Sequence, residues 1–404
     1  MDSNVVGFDV LAEQIESILR NPDSDVSKNE DDQARWRLAE AASKLSISLE
    51  KPLDTLRRYG YIHLQSPMAF IGVDSGIFGA LAAEPRQFTS AELAQKTGMD
   101  PGFLMRLLRY YQALNMICQT GNDHYQANNV TRVLGDGYYG DILRFSHNIM
   151  APASLRLPEL LQEMQYGDPT GRTPTAWNAA FGTDQHPFAW FAENPWAKEL
   201  GLTHMKIQRE GRPLCFDGLD FAHRFGQATT DSTPLFVDIG GSMGPQSVAF
   251  RQRYPNLAGR VIVQDRPEVI EKANVALADW PSIEAEAHDF FTPQTIHGAR
   301  IYYLRNVLHD WPDNKCVEIL QNTKAGMEEQ SVLLIDETAL PERDAAPRAA
   351  QHDMEVLISL GAKERTQTEW VQLVEKAGLR ICEVIKYDEQ YEDCLMVAEL
   401  GLNR

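Results

Sequence analysis

The sequence predicts an α/β protein with a mostly helical N-terminal part and a C-terminal parallel sheet that is covered by helices. From Pro234 onward, short β-rich runs alternate with helical stretches, which is typical of a parallel sheet with helices on both faces. The last two runs lie too close together for a parallel crossover, which needs about a dozen residues, so they should form an antiparallel hairpin. The runs are LFVDIG, RVIVQD, IEAEAHD, RIYYLRNV, SVLLIDET, LRICEVIKY and CLMVAEL.

Length, composition and charge exclude several classes of protein. The chain has 404 residues, enough for two or three domains, and its 43% apolar and 24% charged residues are ordinary globular values. A formal charge of −19 should repel a phosphate backbone, so we expect no nucleic-acid partner. No apolar run approaches the ~18 residues of a membrane span, and the N-terminus has no signal-peptide pattern. The five cysteines form no CxxC pair, which favours a reducing, cytoplasmic compartment.

The N-terminal part, residues 1–135, contains the element order of a winged helix. Thr89 should cap a short helix that Gly98 ends, and Asp100 followed by Pro101 should start a longer one. The segment CQTGNDHYQAN is then predicted to form two short strands joined by a tight turn. Winged helices bind DNA or serve as dimerisation modules, and the acidic charge of the chain favours dimerisation.

A second helical section, residues 136–230, is rich in aromatic side chains. Such residues form packed cores, but they also line apolar ligand cavities, and the sequence leaves both interpretations open. The remaining section, residues 231–404, carries the predicted sheet. The aromatic residues of the helical section are Phe145, Trp177, Phe181, Phe188, Trp190, Phe191 and Trp196.

A glycine-rich turn follows the first predicted strand, in the segment Phe236-Val-Asp-Ile-Gly-Gly-Ser-Met-Gly244. Gly240 and Gly241 allow a tight turn and a close approach of a ligand to the backbone. The segment is neither a P-loop, because no Lys-Ser/Thr follows, nor a GxGxxG fingerprint. The carboxylate of Asp238 would repel a pyrophosphate and suits a ligand with a cationic or amine group.

Two more acids follow at the ends of the next strands. Asp265 ends the second strand, where an acid can accept hydrogen bonds from ribose hydroxyls. The third strand should end in Asp289 and the aromatic Phe290. Because parallel strands end at one edge of the sheet, the three acids should line the crevice in which open α/β sheets bind ligands.

The fourth strand leads into the segment Asn306-Val-Leu-His-Asp-Trp-Pro-Asp313, which places His309 near the same edge. A histidine with a pKa near neutrality can accept the proton of a hydroxyl group.

These motifs resemble those of the class I S-adenosylmethionine (SAM)-dependent methyltransferases, which have a Rossmann-like sheet. From about Trp36 the chain resembles, more narrowly, the plant caffeic-acid type O-methyltransferases and their fungal relatives. The family's glycine turn is DxGGGxG, and here it is DIGGSMG, with Ser242 in place of one glycine. The resemblance implies SAM as the cofactor. The cofactor-binding residues that it implies are Asp238, Gly240 and Gly241 for the methionine part, Asp265 with Arg266 for the ribose, Asp289 and Phe290 for the adenine, and Arg305 at a family lysine position.

The resemblance also implies a catalytic set. His309, within LHDW, matches the family's base. Glu337, which should end the fifth strand, and Glu364 match two glutamates that orient it. Asp310 is adjacent to the base. The expected function is O-methylation of a phenolic or enolic hydroxyl in a small aromatic or polyketide secondary metabolite. The family also implies a homodimer, formed through the N-terminal domain.

Two other functions remain open at the level of the sequence. Some fungal relatives are pericyclases, which bind SAM but catalyse dehydration and cycloaddition through a histidine in the helical section and an Asp at the methyltransferase His-Asp site. His147 and Asp310 fit that pattern, but this sequence retains His309 at a position where pericyclases can carry Arg or Lys. The second alternative is a DNA-binding SAM sensor, but the predicted helix from Pro101 offers only Arg106 and Arg109 as basic residues.

Overall fold

The structure, a computed structural model, describes residues 8–20, 32–217, 220–227 and 229–401. It divides into two compact units, Met1–Ile71 and Gly72–Arg404. Within the described ranges, no helix is both long enough and apolar enough to cross a membrane.

The first unit is helical, and it exposes many large apolar side chains. Helix α3 begins with Pro52 at its first position, where proline costs no hydrogen bond. The backbone N–H of Lys51 donates to Asp54 across the first turn of this helix. The helices are α1 (Phe8–Arg20), α2 (Asp32–Ser48), α3 (Pro52–Tyr61) and α4 (Gln65–Asp74), the last of which continues into the second unit.

The second unit begins with the capped helices and the hairpin that the sequence predicts. The side chain of Thr89 accepts a hydrogen bond from the backbone of Glu92, and that of Asp100 accepts one from Phe103. The two short strands pair antiparallel, which confirms the predicted hairpin. The elements are α5 (Ile77–Ala82), α6 (Ser90–Thr97), α7 (Pro101–Ala113), β1 (Cys118–Gly121), β2 (His124–Gln126) and α8 (Asn129–Gly135).

The aromatic section is helical, and several of its aromatic side chains pack against one another. Trp177 is buried, and the rings of Phe181 and Trp190 lie 5.0 and 5.3 Å from it between centroids. A π-helical turn at Ser146–Met150 joins two of the helices. The helices are α9 (Gly137–Phe145), α10 (Ala151–Glu163), α11 (Ala176–Phe181), α12 (Pro187–Glu193), α13 (Pro195–Ile207) and α14 (Phe221–Phe225).

The C-terminal section forms one sheet with the strand order β5-β4-β3-β6-β7-β10-β9, and the short strand β8 pairs with β7. The strands from β5 to β7 are parallel, and β10 and β9 form the predicted antiparallel hairpin. The strands are β3 (Pro234–Ile239), β4 (Arg260–Asp265), β5 (Ile283–Ala287), β6 (Ile301–Arg305), β7 (Val332–Leu340), β8 (Arg365–Thr366), β9 (Leu379–Asp388) and β10 (Asp393–Leu400). The helices are α15 (Pro245–Arg253), α16 (Pro267–Ala276), α17 (Asp313–Lys324), α18 (Pro347–Leu360) and α19 (Gln367–Lys376).

The central strands are mostly apolar because both faces of the sheet are covered. On β6, Tyr302 and Leu304 belong to one core cluster, whereas Ile301 and Tyr303 belong to the cluster on the opposite face. Alternate residues of a strand point to opposite faces, so a strand covered on both sides needs a continuous apolar run. This double cover leaves the ends of the strands as the place for polar side chains.

Two of the predicted strand ends differ from the structure. The expectation that Glu337 ends its strand is wrong, because β7 continues to Leu340. Strand β7 is longer than its neighbour β6 because β10 pairs with it as far as Thr338, whereas its ladder with β6 stops at Asp336. The third strand, β5, ends before Asp289, at Ala287.

Candidate active site

The glycine turn between β3 and α15 forms a cradle of bare backbone. Gly240 has a φ of +72°, and a Cβ on it would lie 2.9 Å from the side chain of Val307. A Cβ on Gly241 would lie 2.6 Å from the carboxyl carbon of Asp238. Ser242 has a φ of +52°, in the left-handed region that the family's glycine adopts without strain. The cradle therefore excludes side chains and leaves the backbone open to a ligand.

Asp238 lies under this turn and is only 2% exposed. Its Oδ2 accepts a hydrogen bond of 2.8 Å from the hydroxyl of Ser247. Burial raises the pKa of Asp238 to about 7, although the hydrogen bond from Ser247 opposes this rise. A cation bound beside this carboxyl group would favour its ionised form, so the site suits an ammonium group.

The other two acids both accept hydrogen bonds from backbone N–H groups. Asp265 accepts hydrogen bonds from the backbone N–H groups of Ser242, at 2.9 Å, and Arg266, at 2.8 Å, and burial raises its pKa. The side chain of Arg266 is exposed. Asp289, also exposed, accepts a hydrogen bond from the backbone of Phe291. Asp265 is therefore tied to the glycine turn itself.

Aromatic rings form a wall beside the glycine turn. A Cβ on Gly240 would lie 3.7 Å from the ring of Phe290, whose centroid is 6.2 Å from that of Trp311. His186, just before α12, stacks on Trp311 with centroids 5.6 Å apart and an angle of 15° between the rings. No sequence motif pointed to His186. A planar heterocycle such as adenine fits a wall of this kind.

Arg305 ends β6 inside a buried polar network. Its Nη1 donates to Oε1 of Gln246 at 2.8 Å, and its Nε lies 3.6 Å from Oδ2 of Asp336. Burial disfavours the charge of Arg305, but Asp336 outweighs this effect and raises the pKa of the guanidinium. The hydroxyls of Tyr303 and Tyr387 also donate to Asp336. Arg305 thus connects β7 to the helix that follows the glycine turn.

His309 lies in a short 3-10 turn, Leu308–Asp310, just after β6, and is only 7% exposed. Its Nδ1 lies 2.8 Å from Oε1 of Glu364, and its Nε2 lies 3.4 Å from Oδ1 of Asp310. Glu364 is also buried, directly before β8. The two residues that the resemblance pairs are therefore in direct contact.

Glu337 holds the backbone in front of His309 rather than its ring. Its Oε1 accepts hydrogen bonds from the backbone N–H groups of Val307, at 2.9 Å, and Leu308, at 2.8 Å. Burial raises the pKa of Glu337 to about 7, whereas His309 opposes this rise. Glu337 thereby fixes where the 3-10 turn begins. Its influence on the His309 ring is electrostatic, without a hydrogen bond to the ring.

Arg365 contacts the carbonyl groups of the same turn, whereas Glu337 contacts its N–H groups. The side chain of Arg365 is buried, with 1% exposure, and no sequence motif pointed to it. Its guanidinium donates to the carbonyl oxygens of Leu308, at 3.1 Å, and Trp311, at 2.9 Å, and to the carboxylate of Asp313. The only signal in the sequence is its position next to Glu364. A planar guanidinium can donate hydrogen bonds to several acceptors at once, as that of Arg365 does here.

The charges around His309 favour a proton on its ring. Burial alone would lower its pKa, but the carboxylates of Glu364, Asp310 and Glu337 outweigh burial and raise the pKa of His309 to about 10. Burial alone would raise the pKa of Glu364, but His309 and a second histidine, His352, lower it to about 2. Without ligands, the surroundings of the pair therefore favour an imidazolium beside a carboxylate.

His147 lies in the π-helical turn between α9 and α10 and is half-buried. Such turns are rare and occur often at functional sites. Its neighbour Phe145 stacks on His204 at 4.3 Å between ring centroids. A catalytic role for His147 remains a prediction.

Comparison with known proteins gives concordant matches. The family described as "O-methyltransferase domain" matches residues 164–380. "Demethylsterigmatocystin 6-O-methyltransferase" of Aspergillus flavus is 35% identical over 369 residues, 91% of this chain and 94% of its own length. Two solved structures, described as "A Pericyclic Reaction enzyme" and "The structure of LepI complex with SAM", are each 33% identical and cover 96% of this chain and 100% of their own. Their TM-scores are 0.86 and 0.85.

The glycine cradle gives a direct test. Gly241→Ala would push a methyl group against the Asp238 carboxyl group, so we expect the affinity for SAM, the cofactor predicted from the sequence, to fall at least tenfold, or about 1.4 kcal/mol. Isothermal titration calorimetry measures this affinity. Gly137→Ala is the matched control, since a Cβ there meets no described atom within 4 Å. Equal SAM affinity in both variants would contradict the cradle.

Proposed function

The chain belongs to the O-methyltransferase family, and from this membership we propose that it methylates a phenolic or enolic hydroxyl of a small aromatic or polyketide secondary metabolite. SAM is the cofactor of this reaction. The observation that carries the proposal is the buried contact between His309 and Glu364 at the edge of the sheet that also holds the glycine cradle. This contact provides an oriented base close to a site that fits the cofactor.

The residues of the cradle fit the parts of SAM. The bare backbone of Gly240 and Gly241 gives room for the methionine part, and the Asp238 carboxyl group is placed to pair with its ammonium. Asp265 lies at the end of β4, where a ribose can be bound, and Phe290 lies in the aromatic wall that suits the adenine. SAM, when bound, supplies the methyl group and a positively charged sulfonium.

In the proposed mechanism, His309 accepts the proton of the acceptor hydroxyl. Its Nδ1–H donates to Glu364, so that Nε2 is left with the lone pair that can take the proton. The acceptor oxygen then forms its bond to the methyl group while the bond from methyl to sulfur breaks. The proton stays on the imidazolium, which the Glu364 carboxylate stabilises.

The cationic cofactor also makes His309 available as a base. In the site without ligands, the acidic groups of Glu364, Asp310 and Glu337 favour a proton on the ring. A positive charge bound nearby disfavours the imidazolium, so His309 releases its proton more readily in the SAM complex. The base would therefore become competent only when the methyl donor is in place.

We propose the predicted organisation for the rest of the chain: residues 1–135 as a dimerisation domain, 136–230 as a connector contributing to the acceptor pocket, and 231–404 as the cofactor domain. The many large apolar side chains exposed on the first unit support a homodimer, because an exposed apolar patch often marks a surface that a partner covers. Those on α2, α3 and their connection are Leu38, Leu45, Ile47, Leu49, Leu53 and Leu56.

A pericyclase is the second candidate function. Two observations favour it, namely the similarity to a solved pericyclic reaction enzyme and the position of His147 in a π-helical turn. The intact set of His309, Glu337 and Glu364 favours methyl transfer instead, because a pericyclase needs no oriented base for an acceptor hydroxyl.

Methyl-labelled SAM separates the two functions. The protein is incubated with labelled SAM and a panel of phenolic polyketides and pyridones, and the products are analysed by mass spectrometry. We expect a product that carries the labelled methyl group and an equal amount of S-adenosylhomocysteine (SAH). A product that has lost water or only isomerised, with SAM unconsumed, would overturn methyl transfer and establish the pericyclase.

His309→Asn tests the base. Asparagine cannot take up the proton, so we expect turnover to fall by about 10²–10⁴-fold while SAH binding is retained. The matched control is His223→Asn, which changes an exposed histidine on α14. Turnover of His309→Asn equal to that of the control would show that another group is the base.

A further inference from the structure

The carboxylate that holds the base also holds a second histidine. His352 lies on α18, and its Nδ1 is 2.9 Å from Oε1 of Glu364, the same oxygen that lies 2.8 Å from Nδ1 of His309. The two imidazole rings lie 5.7 Å apart between centroids, at an angle of 30°. The mechanism above uses only one of these histidines, and the sequence motifs pointed to only one.

Helix α18 contacts Glu364 at two points. The neighbour of His352, Asp353, accepts a hydrogen bond of 2.8 Å from the backbone N–H of Glu364, while His352 contacts the carboxylate. The side chain of His352 is 22% exposed, whereas that of Glu364 is fully buried. His352 is thus the more solvent-accessible of the two histidines that share Glu364.

Most of the titratable groups that face His352 are acidic. The carboxyl groups of Asp353 and Glu355 on its own helix interact with it electrostatically, as do those of Glu364 and Asp310. From α13, His204 also faces it, and burial followed by the influence of His352 lowers the pKa of His204 to about 4. His204 is therefore neutral at pH 7, and apart from His309 the charged groups that face His352 are acidic.

Sharing one oxygen couples the two histidines. An oxygen that accepts from two N–H donors holds each of them less strongly than it would hold one. His309 is otherwise surrounded by Glu364, Asp310 and Glu337, all of which favour its proton.

We propose that His352 is a positioning residue that controls, through the shared oxygen of Glu364, how firmly His309 holds its proton. The consequence for turnover rests on the proposed role of His309 as the base. Without His352, Oε1 of Glu364 would accept a hydrogen bond from His309 only. His309 would then retain its proton up to a higher pH.

Two variants separate the donor of His352 from its bulk. In His352→Asn, the side-chain Nδ2 takes the place of Nδ1 and keeps the N–H donor, whereas His352→Leu removes it. The rate kcat is measured against pH at saturating SAM and acceptor. EDTA in every buffer keeps adventitious metal ions from affecting the rates.

For His352→Leu we expect the acidic limb of the kcat profile to move up by about one pH unit, with turnover at pH 7 roughly tenfold lower and recovered at higher pH. His352→Asn should shift the limb less, because it keeps the donor to Glu364. The control His223→Asn should keep the wild-type profile. Thermal unfolding and SAH binding verify that each variant is folded.

NMR titration of the His309 ring in the SAH complex gives a readout that needs no turnover. We expect His352→Leu to raise the pKa of His309, whether or not the acceptor panel contains a substrate. The inference is overturned if both variants keep the wild-type pKa of His309 and the wild-type acidic limb, with only kcat or stability reduced. A moved pKa in a protein that transfers no methyl group would contradict the proposed function and leave the coupling intact.

Discussion

The buried contact between Glu364 and His309 is the interaction on which the rest of the site depends. Two ionised side chains out of contact with water are costly unless each is fully held by its surroundings. The structure supplies that support from three sides: Arg365 binds the carbonyl oxygens around the turn, Glu337 binds the backbone N–H groups before it, and Asp353 binds the backbone of Glu364. Each of these contacts is made with backbone atoms. They fix the chain around the site and leave the side chains of His309 and Glu364 to contact each other.

The parallel sheet determines which groups meet at this site. Its central strands are covered on both faces and carry mostly apolar side chains, and the polar groups of the site lie in or just after their carboxyl-terminal parts. The neighbouring strands β3 and β6 bring the glycine turn and the His309 turn to the same edge, and a Cβ on Gly240 would touch Val307. The cofactor cradle and the proposed base are thus parts of one packed unit, and binding at one can affect the charge of the other.

The sequence predicted the strands, the capped helices and the contact of His309 with Glu364, because these depend on local pattern or on a family motif. It could not predict the contacts made by tertiary packing. Glu337 lies inside β7 because β10 pairs with that strand, and its carboxylate contacts backbone rather than the ring. Arg365, His352 and His186 are ordinary residues in the sequence. Their proximity to the site exists only once β8, α18 and α12 are placed.

The central claim is that carboxylates keep His309 protonated until a cationic cofactor makes it a base. NMR titration of His309 in the SAM complex and in the SAH complex tests this claim directly, since the two ligands differ only by the methyl group and its positive charge. We predict a clearly lower pKa of His309 in the SAM complex. The same pKa in both complexes, with His309 protonated at neutral pH, would contradict the account.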